Sequence, residues 1–317
     1  MDFTDFKAGI NDNGRRLDKV IRIIASELSL GEIYKALRKG LIKLNNKKAD
    51  PDVRIKTGDI IQIADFLTDK KQENNAELKI ILPPVIFQNE HILVLNKPYN
   101  MLVQESKNNK DSLNTLVQKY YEINSTDTSV SFKTGPLHRL DKNTSGLLCF
   151  SWSLKGAVWF SDNLRDHKIQ KKYRGIVLGN LKDEEIWQDK IIKEEDSNEG
   201  FHTVKIQNDE EPNAYTKITP LAHGKYMDND ITYAEFDIKT GKMHQIRSQS
   251  AFHGFPLLGD TAYGAFKISE RREYFLHAWT LTFPQNELGI PDEIQCPLPQ
   301  DFDSFLLKTC DIKNPGL

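Results

Sequence analysis

Gly135-Pro136-Leu137-His138-Arg139-Leu140-Asp141-Lys142-Asn143-Thr144-Ser145-Gly146-Leu147-Leu148 sets a polar turn in front of an apolar run that continues to Phe150. The run is expected to be a strand, and turns at strand ends are where folds hold reactive groups. Asp141 is the carboxylate of that turn, with His138, Arg139 and Lys142 around it. This setting suits an ionised carboxylate acting on a polyanion. Taken alone, an Asp before a strand is as a rule a turn or capping residue. Its meaning therefore depends on the rest of the chain.

From Val85 onward, short strand-like runs recur at His91 to Asn96, Ser145 to Ser151, Tyr173 to Leu178, Phe201 to Ile206 and Ile231 to Ile238. Helix-like stretches, Leu113 to Tyr121 and Leu154 to Arg165, lie between them without regular alternation. An α+β fold is expected, not a doubly wound sheet. The 317 residues, 38% of them hydrophobic, are enough for a substantial core in one large or two unequal domains.

Before Val85 the composition changes. Residues 1 to 13 are expected to be a tail. Leu17, Val20, Ile21, Ile24 and Leu28 recur at helical spacing. A second helix fits Glu32 to Lys39, with Ile33, Tyr34 and Leu37 inward and Lys35, Arg38 and Lys39 outward; Gly40 ends it. Leu41-Ile42-Lys43-Leu44 leads into an Asn45-Asn46 turn, and Ile60 to Ile63 is a closing strand. Residues 14 to 65 therefore form one helix-helix-strand-strand unit. A polar linker over residues 66 to 84 joins it to a domain spanning residues 85 to 317.

The formal net charge of −2 conceals an uneven distribution. Arg15 to Lys56 holds twelve basic residues against five acids, whereas Lys182 to Glu211 holds eleven acids against four lysines. Phosphate contacts are expected from the first segment, with Arg16, Lys35, Arg38 and Lys39 as candidates. The second reads as a solvated insertion facing away from RNA.

No apolar run approaches the roughly 20 residues that span a bilayer. Met1-Asp2-Phe3-Thr4-Asp5-Phe6 lacks a basic, apolar leader, so no signal peptide is expected. Cys149, Cys296 and Cys310 lie far apart and read as reduced thiols of a cytoplasmic protein. His138, His244, His253 and His277 fit no common ligand spacing, so no metal is expected.

Several segments recur in a known order: Asn96-Lys97-Pro98, His138-Arg139-Leu140-Asp141, Lys171-Lys172-Tyr173, Gly241-Lys242-Met243-His244-Gln245-Ile246-Arg247, Gly259-Asp260 with Tyr263-Gly264, and Leu276-His277-Ala278. With these the chain, over about Val85 to Leu306, resembles the RluA-type pseudouridine synthases, which isomerise specific uridines in ribosomal or transfer RNA. Ile33-Tyr34, Leu37 to Gly40 and Gly58-Asp59 make the N-terminal unit similar to the small alpha-L RNA-binding domain named after a small-subunit ribosomal protein. The pairing is most like the large-subunit ribosomal RNA branch, its C type.

The resemblance implies a mixed, mainly antiparallel sheet with flanking helices. It also implies roles. Asp141 matches the catalytic aspartate that starts detachment of uracil from ribose, whether by attack on sugar or base or by proton abstraction. Arg247 matches its arginine partner, which keeps it ionised and oriented. Tyr173 matches the tyrosine that stacks on the base, its hydroxyl a candidate for removing the C5 proton. Arg139 would fill the gap left by a flipped-out uridine, and His138 and Leu276 would also meet the RNA. No cofactor is implied, since isomerisation transfers no electrons to an acceptor. RNA is the implied partner of a monomer, with no membrane. Lys242, Met243 and Ser248-Gln249-Ser250 depart from the family's pattern, while Gln245-Ile246-Arg247 keeps it. A transfer RNA synthase and a non-catalytic ribosome-assembly factor are the alternatives.

Overall fold

The computed structural model describes residues 1–68, 80–105, 111–193, 204–207, 210–268, 274–310 and 312. These form two compact units.

The first unit draws on Met1–Ile81, Leu116–Gly135 and Trp152–Lys155. Its elements are β1 (Phe3–Lys7), α1 (Leu17–Ile24), α2 (Leu30–Lys39), β2 (Ile42–Leu44), β3 (Ile60–Ala64) and most of α3 (Leu113–Asn124). Both early helices follow the expected spacing: Leu17, Val20 and Ile21 of α1 and Ile33, Ala36 and Leu37 of α2 are buried in one core. Ser29 and Glu32 cap α2 reciprocally, and Gly40, at φ 72, closes it in the left-handed conformation. Asn45 and Asn46 take positive φ and turn the chain, as expected for that pair.

Residues 1 to 13 are not a loose tail. Phe3–Lys7 pairs antiparallel with β3, giving a three-stranded sheet of order β1-β3-β2. Asp12 is fully buried, and its carboxylate accepts from the backbone N–H groups of Gly9, Val130 and Ser131 and from the Ser131 hydroxyl. Asn11 bonds Asp127 at 2.6 Å. These polar residues look solvated in sequence because their partners lie more than a hundred positions away.

The linker read over residues 66 to 84 falls mostly on 69–79, outside the described residues. Of its described part, Phe66 and Leu67 belong to the short 3-10 turn Asp65–Leu67.

The second unit holds a ten-stranded sheet built from β4 (Val85–Gln88), β5 (Ile92–Lys97), β6 (Ser145–Ser151), β7 (Gln170–Leu178), β8 (Glu185–Lys193), β9 (Val204–Gln207), β10 (Ala214–Tyr226), β11 (Asn229–Ile238), β12 (Leu276–Thr282) and β13 (Glu293–Gln295). The order is β4-β5-β6-β12-β7-β11-β10-β8-β9, with β13 on β12. Among the described pairs only β6 and β12 run parallel. The expected mixed, mainly antiparallel sheet is what forms. Most of α4 (Leu154–Arg165), with α5 (Gln245–Phe252) and α6 (Gln300–Thr309), completes the unit. α6 buries Phe302 and Leu306 against Ile176, Ile231 and Tyr233 of the sheet.

The acidic segment 182–211 is more than a solvated insertion. β8 alternates, with Trp187, Asp189 and Ile191 buried between outward residues, as a half-buried strand does. Its residues 194–203 and 208–209 lie outside the described set.

Candidate active site

The parallel junction β6/β12 and the neighbouring β7 decide what meets at the site. Ala278 pairs with Gly146 on one side and with Tyr173 on the other. Gly146 has φ 110, and a Cβ there would collide with the Ala278 backbone. Glycine is therefore required for β12 to lie close enough to β6. Ser145 Oγ and His277 Nδ1 lock the same junction at 2.9 Å. The Asp141 turn thus leads into β6 one strand away from β12, and Tyr173 lies on the strand beyond.

The turn itself is held from within. Lys97, at the end of β5, is fully buried, and its ammonium donates to the carbonyls of Pro98, Met101 and Lys142 at 2.9, 3.0 and 2.9 Å. Burial pushes it down to about 7, opposed by the charge of Asp141. Thr144 N–H donates to the Asp141 carbonyl at 3.1 Å, closing the turn.

Arg247 reaches the same place from α5. Its Nη1 lies 3.6 Å from Asp141 Oδ2. Its tight partner, however, is Asp260: Nε donates to Oδ2 at 2.7 Å and Nη2 to Oδ1 at 2.8 Å. The guanidinium also lies over the rings of Tyr263 and Tyr274, 4.9 and 4.6 Å from their centroids. Burial works against its charge, yet Asp260, Tyr274 and Asp141 together hold Arg247 above the ordinary arginine value. Leu258 N–H donates to Ile176 O of β7 at 2.8 Å, which hangs the Asp260 loop on the sheet.

His244, just before α5, has φ 53, an uncommon conformation for a residue other than glycine. Its Nδ1 is 2.9 Å from Tyr263 Oη and its Nε2 is 3.8 Å from Asp141 Oδ2. Gln245 fixes the loop before the helix: its Oε1 accepts from Thr240 and Lys242 and its Nε2 donates to Tyr215 O and Thr216 Oγ1.

Asp141, Tyr173, Arg247, Arg139 and Leu276 all line one small cavity of about 80 Å³. Burial first, and then the charge of Asp141, push the Tyr173 hydroxyl well above the ordinary tyrosine value, so it stays protonated at neutral pH. The cavity therefore offers one carboxylate, two guanidinium groups and an aromatic ring beside apolar Leu276. That set can position a charged nucleophile or base against a flat, stacked ligand.

Other expected residues stand apart. His138 turns inward: its Nε2 accepts from Cys149 N–H at 3.1 Å, and its ring stacks on Phe160. Burial, with the charge of Lys171, lowers it to about 3. Lys35, Arg38 and Lys39 are exposed on α2 of the first unit. Arg16 is tied to Asp18 by two bonds, at 3.1 and 2.9 Å, so its charge is already matched.

Sequence reasoning missed Lys97, His244 and Asp260 as parts of the site. Asp260 reads as a loop residue between glycines, and its spacing from Arg247 carries no signal of a bidentate pair. The departure at Ser248-Gln249-Ser250 also acquires a local explanation. Gln249 is fully buried, accepting from Thr216 and donating to Asp189, both at 2.6 Å.

Residues 91–252 match the model of the RNA pseudouridylate synthase family, and residues 15–61 match that of the S4 domain. The chain is 31% identical to "Ribosomal large subunit pseudouridine synthase C" of Rickettsia felis, over 92% of this chain and 96% of that protein. It is 30% identical to "Ribosomal large subunit pseudouridine synthase D" of Buchnera aphidicola, over 93% and 94%. Among solved structures, Human RNA Pseudouridylate Synthase Domain Containing 4 shares its fold with a TM-score of 0.57 at 20% identity, over 73% of this chain and 94% of that one.

Proposed function

This chain belongs to the RNA pseudouridylate synthase family and carries an S4 domain, and we propose that it isomerises specific uridines of large-subunit ribosomal RNA with Asp141 as the catalytic carboxylate. The enzyme class follows from the family. The choice of RNA rests on relatives named for the large ribosomal subunit and on the exposed basic face of α2.

The reaction conserves every heavy atom. The bond from N1 of uracil to C1′ of ribose breaks, the base rotates, and C5 bonds C1′. N1 gains a proton and C5 releases one. Asp141 starts the detachment, and Arg247 holds it in place across 3.6 Å. Tyr173 provides the surface on which the freed base stacks and turns. Its protonated hydroxyl is a poor acceptor for the C5 proton, so the electrostatics favour the stacking role. The uridine leaves its helix to enter so small a site, and exposed Arg139 at the rim occupies the space it vacates.

The observation that carries this reading is the convergence of Asp141, Arg247 and Tyr173 on one cavity. Asp141→Asn is expected to bind RNA as the wild type does while isomerisation falls by roughly a thousandfold or more. Isomerisation at the wild-type rate by that variant would remove Asp141 from the mechanism.

A further inference from the structure

A larger chamber, of about 450 Å³, opens beside the Asp141 cavity and shares Arg139 and Tyr173 with it. Lys171 is part of its wall. It sits two residues before Tyr173 on β7, so the two side chains leave the same face of the sheet. Lys171 is only 8% exposed. Among the described residues its ammonium makes a single polar contact, 3.5 Å to the Thr240 carbonyl, at the outer limit of hydrogen bonding. No described carboxylate lies within ion-pair distance of it. An ammonium has three protons to donate. Burial lowers the group's proton affinity below that of ordinary lysine.

A buried charge with so little to bond is costly to a fold. Lys97, at the end of β5, shows the alternative: it is fully buried and donates to three carbonyls. Lys171 is therefore an ammonium in want of an acceptor. The chamber is suited to an anionic one. Arg139 and Lys239 line it as well, and none of the described lining residues is acidic. Gly241 keeps the approach open, since a Cβ there would stand 3.3 Å from Lys171 Nζ.

We propose that Lys171 binds a backbone phosphate of a nucleotide next to the target uridine, held in the chamber beside the Asp141 cavity. The proposal rests on the functional reading above. A phosphate is favoured over a base carbonyl because the chamber holds several positive charges and no negative one.

The test uses full-length Lys171→Met, unmodified large-subunit ribosomal RNA transcript and a series of salt concentrations. KM is expected to rise about tenfold, as for loss of one charge-assisted hydrogen bond. The rate at saturating RNA should not change, the mark of lost uniform binding. The dependence of log kcat/KM on log salt should become shallower by about 0.7, one phosphate on a single strand. The melting temperature should rise, because an under-bonded buried charge has been removed. A fall in melting temperature, or an unchanged KM and salt slope, would overturn the proposal. A second measurement does not depend on the variant's folding. Wild-type enzyme given RNA with a neutral methylphosphonate at one linkage flanking the target should lose the same factor in KM. Unimpaired turnover with each flanking linkage neutralised in turn would also overturn it. If the wild type forms no pseudouridine in any ribosomal transcript, the functional reading fails first. An active wild type with an indistinguishable Lys171→Met removes this proposal alone.

Discussion

At the scale of single residues, the site is built from unequal charge partners. Arg247 is bonded in bidentate fashion to Asp260 and only approached by Asp141. Asp260 therefore positions the arginine and leaves Asp141 without a close competitor for its oxygens. Asp260→Ala would strand a buried guanidinium between two tyrosine rings, and breaking such a pair costs about 3–5 kcal/mol. Chemical denaturation should show a loss of that size, together with slower isomerisation. A variant as stable as the wild type would mean that Arg247 finds another partner. The sequence makes Asp141, Tyr173 and Arg247 legible because each stands inside a motif. Asp260 stands in a motif too, but its glycine neighbours suggest a turn, and only the fold brings it to Arg247.

At the scale of elements, strand register does most of the positioning. The expected strands at 145–151 and 173–178 both form, and their relation through β12 sets Tyr173 across from the Asp141 turn. Helix α5 was not legible. Its buried residues include Gln245, Arg247, Ser248, Gln249 and Ser250, so apolar periodicity has nothing to report. The buried side chain of Gln249 donates to Asp189 on β8 and accepts from Thr216 on β10, which no local pattern announces. His138 illustrates the same limit. It stands in the motif beside Arg139, yet it serves β6 by accepting from Cys149 N–H. In the unfolded chain this imidazole takes its proton near 6.5, and in the folded protein only at about 3. Between those values the unfolded state holds the extra proton, so stability falls as pH falls through that window. His138→Gln, which keeps an acceptor, should flatten this acid limb by at most about 1.4 kcal/mol per pH unit. Denaturation midpoints at pH 7 and pH 4 measure it. An unchanged difference between the two would show that His138 takes its proton readily in the folded state.

At the scale of the whole molecule, charge is unevenly spread along the chain, with twelve basic residues against five acids from Arg15 to Lys56. The N-terminal unit was legible from helical spacing and turn residues. Its extent was not, because Asp12 grips Val130 and Ser131. Residues 116–135 belong to that unit although they follow the start of the catalytic sequence. Replacing Lys35, Arg38 and Lys39 together by glutamine should make RNA binding less steeply dependent on salt, by about 2 to 3 in the log–log slope. The rate at saturating RNA should persist. An unaltered slope would place the RNA on another surface. The central claim joins both units: Asp141 isomerises uridines in large-subunit ribosomal RNA. The direct measurement maps pseudouridines in ribosomal and transfer RNA from cells lacking this gene and carrying either the wild type or Asp141→Asn. The account predicts large-subunit sites that the wild type restores and Asp141→Asn leaves as uridine. Restoration of those sites by Asp141→Asn, or changes confined to transfer RNA, would contradict it.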